Sequence, residues 1–202
     1  MSEAVTVQGR GHVEVRPDIA ILELGTEGRA ESVEQALSVA SQALTSMVGA
    51  LHANGSTADD LRTEGPSTYT MTDEAGRVNS YVCGFRLTAR IAEPAQAGLL
   101  LADCVSHAGD AARVHGVNYT VLDRGDQQRQ ARVLAVADAR ARAEQLAELV
   151  GRPLGRATKV IETPGGPVRP MHEMRLASAA PDLEPGVEQV TVDVEVTWTF
   201  AD

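Results

Sequence analysis

Aromatic residues are scarce in this chain of 202 residues, which has one tryptophan, three tyrosines and two phenylalanines. The length allows a core of useful size to be buried, and that core has to be built from valine, leucine, isoleucine and alanine. Blocks of lysine and arginine are also absent, and the formal net charge is −10 at pH 7. A basic surface for nucleic acid is therefore excluded. The acidic balance indicates no particular ligand.

Cysteine is rarer still, with Cys83 and Cys104 as the two examples. They could pair in an oxidising compartment, but we expect two buried free thiols in a reducing cytosol. No apolar run approaches the roughly 20 residues of a membrane-spanning helix. The first residues, MSEAVTVQGRG, contain no basic segment followed by an apolar one, so no secretory signal is predicted. We therefore expect a cytoplasmic location and no membrane span.

Alternation of apolar and polar residues predicts two strands near the start of the chain. The first should have a flexible or bulged centre, because two glycines lie among the valines on its apolar face. The residues of this face are Val5, Val7, Gly9, Gly11, Val13 and Val15. The second runs through Ala20, Leu22 and Leu24. Arg16-Pro17-Asp18 between them is a turn signal, so the two strands are predicted to form a hairpin.

The clearest strand pattern lies near the end of the chain. Apolar residues alternate there with polar ones at Val190, Val192, Val194, Val196, Trp198 and Phe200. One buried face and one wet face are typical of an antiparallel sheet that is covered on one side. Four more strands are predicted between these ends, at Leu61–Thr72, Tyr81–Ile91, Val114–Leu122 and Ala157–Glu162.

Helical periodicity predicts three helices between the strands. The longest begins with Asp126 as N-cap and ends at Gly151. Its predicted buried face is mostly alanine: Ala135, Val136, Ala139, Ala143, Leu146, Ala147 and Val150. An earlier helix begins with the capping box of Ser32 and Gln35, and a shorter one lies within 94–109.

The predicted order of elements is ββα, ββα, βα, ββ. Because helices alternate with pairs of strands, the fold class is α+β, a mostly antiparallel sheet with long helices packed on one face. Residues 1–202 are predicted to form a single domain. Its segment 163–186, TPGGPVRPMHEMRLASAAPDLEPG, is rich in proline and glycine and predicts a loop.

Four stretches of the chain resemble the SIMPL-domain family, a bacterial family of unknown biochemical function. They are VTVQGRGHVEVRPDIAILELGTEGRA, SVEQALSVASQALTSMVGAL followed by Asp60-Leu61-Arg62-Thr63, AVADARARAEQLAELVGRPLG, and VEQVTVDVEVTWTFA. Each motif alone is weak, but their order and spacing are specific, and they span nearly the whole chain. The chain is identified on these residues as a member of that family.

The resemblance implies an α+β domain that forms homo-oligomers. Some relatives are periplasmic antigens described as ring- or channel-like assemblies, and others are loosely linked to oxidative stress. The family supplies no catalytic residue to carry over. Many relatives begin with a signal peptide, whereas none is predicted here, so the resemblance and the expected cytoplasmic location disagree.

Two groups of residues could hold a metal ion. Cys104 and His107 lie at i and i+3 of a predicted helix, but a structural site needs two more ligands, so a buried thiol and a surface imidazole are expected instead. Met171, His172 and Met174 would suit Cu(I). They lie in the 163–186 segment, where we expect them to anchor a loop or contact a partner subunit.

Catalytic and phosphate-binding patterns are weak. The carboxylates of Glu23, Asp193 and Glu195 could form an acid–base pair, but they occupy predicted wet faces of strands and are expected to be solvated. Gly9-Arg10-Gly11 lacks the following helix and the lysine of a phosphate loop. No nucleophile–histidine–acid set is visible. We therefore predict no catalytic, cofactor-binding or metal-binding residue.

The second strand carries apolar residues on both faces. Ala20, Leu22 and Leu24 share one face, and Ile19 and Ile21 lie on the other. This favours either a subunit contact or a strand that is covered on both sides within the monomer. The functional prediction is a non-enzymatic, self-assembling protein, with stress as a suggested context. The alternatives are a module that binds a small ligand or metal, and an enzyme of unrecognised type.

Overall fold

The computed structural model describes residues 3–163 and 184–201 of the chain. The α-helices of this part are α1 (Val33–Ala53), α2 (Ala97–Ala108) and α3 (Gly125–Leu149). The strands are β1 (Ala4–Val15), β2 (Ile19–Ala30), β3 (Leu61–Thr72), β4 (Val78–Ile91), β5 (Ala112–Thr120), β6 (Leu154–Thr163) and β7 (Glu188–Phe200). Their order along the chain matches the predicted order. The α+β prediction is confirmed, with two antiparallel sheets in place of one.

The chain divides into two compact units. Unit 1 comprises Met1–Arg16, Val121–Glu173 and Gly186–Asp202, and unit 2 comprises Pro17–Thr120 and Met174–Pro185. The single domain over residues 1–202 stays a prediction. Most of the predicted 163–186 loop lies outside the residues that the structure describes.

Unit 1 is a three-stranded antiparallel sheet in the order β1-β7-β6, covered on one face by α3. The central strand β7 confirms the alternation seen in the sequence, because its apolar residues are buried against α3: Val192, Val194, Val196 and Trp198. Burial of a valine side chain stabilises a fold by roughly 1.5–3 kcal/mol. This strand therefore supplies most of the large buried side chains of the unit's core.

The glycines of β1 let α3 approach the sheet closely. A Cβ atom on Gly9 would lie 2.2 Å from the carbonyl oxygen of Ala135, and one on Gly11 would lie 2.0 Å from that of Ala131. The predicted bulge at these glycines is wrong, since β1 pairs with β7 in an unbroken register from Ala4 to Val15. The glycines create space for a helix backbone and do not bend the strand.

The long helix buries a narrower face than its sequence predicts. Its buried residues follow a strict four-residue step: Ala131, Ala135, Ala139, Ala143 and Ala147. Val136 and Leu146, which were predicted to be buried, are 43% and 42% exposed. Asp126 lies in the first turn and not at the N-cap. The stop signal is correct, because the helix ends at Leu149 and Gly151 adopts a positive φ of 69°.

Unit 2 is a four-stranded antiparallel sheet in the order β3-β4-β2-β5, with α1 and α2 packed against its core. The predicted hairpin of the first two strands is wrong. β1 pairs with β7, whereas β2 lies between β4 and β5. The turn at 16–18 correctly separates the strands, but pairing with strands far along the chain decides where each one lies.

The first helix of unit 2 repeats the close approach of helix to strand. Its N-cap is Ser32, whose Oγ accepts a hydrogen bond from the backbone N of Gln35, as the sequence predicts. A Cβ on Gly28 of β2 would lie 2.2 Å from the carbonyl oxygen of Ala36. The hydroxyl of Thr26 donates to the carbonyl of Ala40 at 2.9 Å. A small-residue contact between helix and strand therefore organises both units.

Candidate functional site

The sheet of unit 1 has one face against α3 and one face turned away from it. Val192, Val194 and Val196 pack with the alanines of α3. Because side chains alternate along a strand, the odd-numbered residues of β7 lie on the other face, which we call the outer face. This face is polar along β7, with the sequence Thr191, Asp193, Glu195, Thr197 and Thr199.

Strand register arranges polar residues in rows across the outer face. Arg10 of β1, Asp193 of β7 and Thr163 of β6 form one row, and Gln8 faces Glu195 in the next. A cavity of about 320 Å³ lies over these rows, and we call it the outer-face pocket. Its lining residues are Gln8, Gly9, Arg10, Arg142, Thr163, Asp193, Val194 and Glu195.

An ion pair crosses the floor of the pocket. Nε of Arg10 donates to Oδ1 of Asp193 at 2.7 Å, and Nη2 donates to Oδ2 at 3.3 Å. The carboxylate raises the pKa of Arg10 by accepting these bonds and by its charge. The Arg10 side chain is 67% exposed, and water screens the attraction between exposed charges. The pair therefore fixes the position of two opposite charges and adds little to the fold.

A second charged pair holds Arg142 beside the pocket. Asp138 of α3 accepts from Nε of Arg142 at 3.1 Å and from its Nη2 at 3.0 Å. The same carboxylate accepts the backbone N–H of Arg10 at 2.9 Å. Since β1 is an edge strand, this N–H would otherwise point away from the sheet without a strand partner. Asp138 therefore covers the β1 edge and orients Arg142.

Three polar side chains of the lining keep their hydrogen-bonding capacity. Within residues 3–163 and 184–201, the side chains of Gln8, Thr163 and Glu195 have no hydrogen bond or ion pair. Glu195 is half-buried. The pocket therefore presents a carboxylate, an amide and a hydroxyl to a bound molecule, while its two arginines already have carboxylate partners.

The carboxylates considered in the sequence have different surroundings. Asp193 and Glu195 both line the outer-face pocket, and the first is engaged by Arg10. Glu23 belongs to unit 2, where its Oε1 accepts from Nδ2 of Asn118 at 3.0 Å. An acid–base pair would need two free carboxylates, but that of Asp193 is already bound by Arg10. The assignment of no catalytic residue stays a prediction.

The proposed metal pair of Cys104 and His107 has two unlike environments. Sγ of Cys104 is fully buried in the core of unit 2, where burial raises the pKa of the thiol to about 11. The imidazole of His107 is 53% exposed and its Nδ1 contacts Asp103. This matches the expected buried thiol and surface imidazole. Cys83 is also a buried free thiol, as the sequence predicts.

The other candidates are settled only in part. Met171, His172 and Met174 lie outside the described residues. Ile19 is buried at 7% exposure and Ile21 is half-buried, so Ile19 favours a strand that is covered within the monomer. Among residues 3–163 and 184–201 there is no cluster of three or more histidine, cysteine or acidic side chains that could hold a metal ion.

Sequence reasoning missed most of the outer-face pocket. Arg10 drew notice only as part of a glycine-containing motif, and Gln8, Arg142 and Thr163 were not singled out. These residues meet because β7 pairs with β1 on one side and with β6 on the other. The one local signal for the pocket was the pair of charged residues, Asp193 and Glu195, on a face of β7 that is otherwise mostly threonine.

Comparison with known proteins supports the resemblance seen in the sequence. The chain is 28% identical over 215 residues to a 26 kDa periplasmic immunogenic protein of Brucella melitensis biotype 1 (strain ATCC 23456 / CCUG 17765 / NCTC 10094 / 16M), covering 96% of this chain and 83% of that protein. The protein of the same description from Brucella abortus (strain S19) matches equally. No helix in the described part of the chain is long and apolar enough to cross a membrane. Residues 5–198 match the family described as SIMPL, protein of unknown function (DUF541), so the chain belongs to the SIMPL family.

Proposed function

We propose that this SIMPL protein is a non-enzymatic, self-associating protein, and that β6 of one copy pairs with β6 of another. The observation that supports this proposal is the exposed edge of β6. All residues of this strand from Arg156 to Thr163 are exposed, including Val160 at 60% and Ile161 at 39%. Exposed strand edges with apolar side chains are templates for pairing with another chain.

The other three sheet edges carry features that oppose such pairing. Asp138 caps a backbone N–H of β1. In β3 the register with β4 breaks between Glu64 and Ser67, and β5 has an irregularity opposite Glu23 and Leu24. Breaks and bulges of this kind protect edges against pairing. β6 also has register shifts against β7, between Leu154 and Lys159, but its last segment from Lys159 to Thr163 pairs without interruption and carries Val160 and Ile161.

Pairing of two β6 strands would join two three-stranded sheets into one of six strands. An antiparallel pair of identical strands has a two-fold axis, as most homodimers do. Val160 and Ile161 would lie near that axis, where their exposed apolar surface would be buried. Lys159 weakens the apolar character of this edge, so we expect association at micromolar rather than nanomolar concentration.

Light scattering at micromolar concentration tests the proposal. Val160→Lys should shift the assembly toward monomer, because two like charges would meet near the axis. Val78→Lys is the matched control, since Val78 is 51% exposed and lies at the start of β4. A wild-type protein that is only monomeric would refute self-association. Assembly of Val160→Lys at wild-type levels would refute the role of β6.

The cellular location also stays a proposal. The sequence predicts a cytoplasmic protein, whereas the two Brucella relatives are described as periplasmic. That description favours the cell envelope for this chain as well. Fractionation of the source bacterium into cytoplasm and periplasm, with detection by an antibody, would decide between the two.

A further inference from the structure

We propose that the outer-face pocket is a binding site for a small aliphatic amine, whose ammonium group is held by Glu195. The pocket has a volume of about 320 Å³, at the lower end of the roughly 300–1,000 Å³ of small-molecule sites. All of its lining residues belong to unit 1. Thr163 is the one lining residue that belongs to β6, and the others lie on β1, β7 and α3, so binding through Glu195 does not require self-association.

The charges of the lining select a cation. Arg10 and Arg142 each have a carboxylate partner, Asp193 at 2.7 Å and Asp138 at 3.0 Å. Glu195 is the remaining charged side chain of the lining, and it has no partner among the described residues. When Asp138 is counted with its partner Arg142, three carboxylates face two guanidinium groups, and this negative balance opposes the binding of phosphate or a carboxylate.

The available acceptors fit an ammonium group better than a metal ion. An ammonium donates three hydrogen bonds, and the pocket offers the carboxylate of Glu195, the amide oxygen of Gln8 and the hydroxyl of Thr163. Gln8 lies directly opposite Glu195, and Thr163 lies in the neighbouring row. A calcium ion would need six to eight oxygen ligands, more than these side chains supply.

The ion pair of Arg10 and Asp193 keeps the carboxylate of Glu195 available for the amine. Arg10 could reach toward Glu195 and neutralise it, but two of its guanidinium nitrogens are bound to Asp193. Asp193 therefore keeps Arg10 away from the free carboxylate. Because Glu195 is half-buried and not fully buried, salt should weaken binding of the amine.

Isothermal titration calorimetry of the full chain with butylamine and 1,4-diaminobutane tests the site. We expect both amines to bind, and sodium acetate and inorganic phosphate not to bind. Glu195→Gln should weaken amine binding roughly tenfold or more, since a hydrogen bond to a charged group is lost. Gln8→Leu should weaken it by a smaller factor, because it removes a neutral acceptor.

Glu14→Gln is the matched control. Glu14 lies on the same face of β1 but outside the pocket, so the variant loses the same charge and should bind amines as the wild type does. Fluorescence of Trp198 checks that each variant is folded. The proposal is overturned if the wild type binds neither amine, if Glu195→Gln binds them as tightly as Glu14→Gln does, or if phosphate binds in their place.

Discussion

Replacing Gly9 by alanine should destabilise unit 1, although alanine is usually the better residue. The added Cβ would lie 2.2 Å from the carbonyl oxygen of Ala135, 2.5 Å from the backbone N of Ala139 and 2.6 Å from its Cβ. Real Cβ atoms almost never approach another atom within 3.0 Å. Two of the three contacts are backbone atoms of a helix, which no rotation of a side chain can move.

The helix α3 therefore has to retreat from β1 by ~1 Å, a gap that forfeits about a quarter to a half of each dispersion contact at the interface. Overpacking of this kind costs about 1–3 kcal/mol. Alanine also lowers the conformational entropy of the unfolded chain, which stabilises the folded state by at most about 1 kcal/mol. The net result is a loss of stability. If the free energy of unfolding falls by about 2 kcal/mol per molar urea, the unfolding midpoint moves down by up to about 1.5 M.

Urea unfolding followed by the fluorescence of Trp198 measures this effect. Trp198 is the single tryptophan of the chain, is 6% exposed and belongs to the core of unit 1. Gly116→Ala is the control, because a Cβ at this position meets no atom within 4 Å. Its unfolding is followed by far-UV circular dichroism. It should be neutral or slightly stabilising. A Gly9→Ala protein as stable as the wild type would refute the close approach of α3.

Three further predictions concern buried and charged groups. Ala143→Leu should lower the melting temperature, because Ala143 is fully buried on α3 and overpacking costs about 1–3 kcal/mol; unchanged melting and oligomer size would contradict this. Native protein should resist a thiol reagent at pH 8, since both cysteines are buried and the pKa of Cys104 is raised to about 11, whereas unfolded protein should react at Cys83 and Cys104; rapid labelling of native protein would be the contrary result. Hydrogen bonds from Thr57, and then Arg90, lower the pKa of Asp60 to about 2. The stabilisation from its carboxylate is therefore complete above the ordinary pKa of an aspartate and is lost as the pH falls through about 2. Asp60→Asn should accordingly melt below the wild type at pH 7, and this difference should be much smaller near pH 2; an equal difference at both pH values would contradict the assignment.

Local signals in the sequence were enough to predict the elements of this fold. The alternation in β7 and the N-cap at Ser32 depend only on neighbouring residues, and both are confirmed. The order of helices and strands follows from the same kind of evidence. The stop at Gly151 is also local, because a glycine with positive φ ends a helix whatever surrounds it.

Pairing of strands could not be predicted in the same way. Val7 lies opposite Val196, and no feature of either strand identifies the other as its partner. The separation of β1 from β2 into different sheets follows from such distant contacts. The outer-face pocket depends on the same pairing, since Arg10 and Asp193 are far apart in the chain. In the sequence, two of its carboxylates, Asp193 and Glu195, were considered but expected to be solvated, and the residues that surround them were not singled out.

The narrow contact between β1 and α3 has a consequence for evolution. When two side chains touch, a larger one can be tolerated if its neighbour becomes smaller, so the two positions vary together. At Gly9 and Gly11 the nearest atoms are peptide oxygens of Ala135 and Ala131, which every residue type carries. No substitution on the helix can compensate for a larger residue on the strand. In relatives that keep this packing, both positions should therefore remain glycine, independently of which residues vary around them.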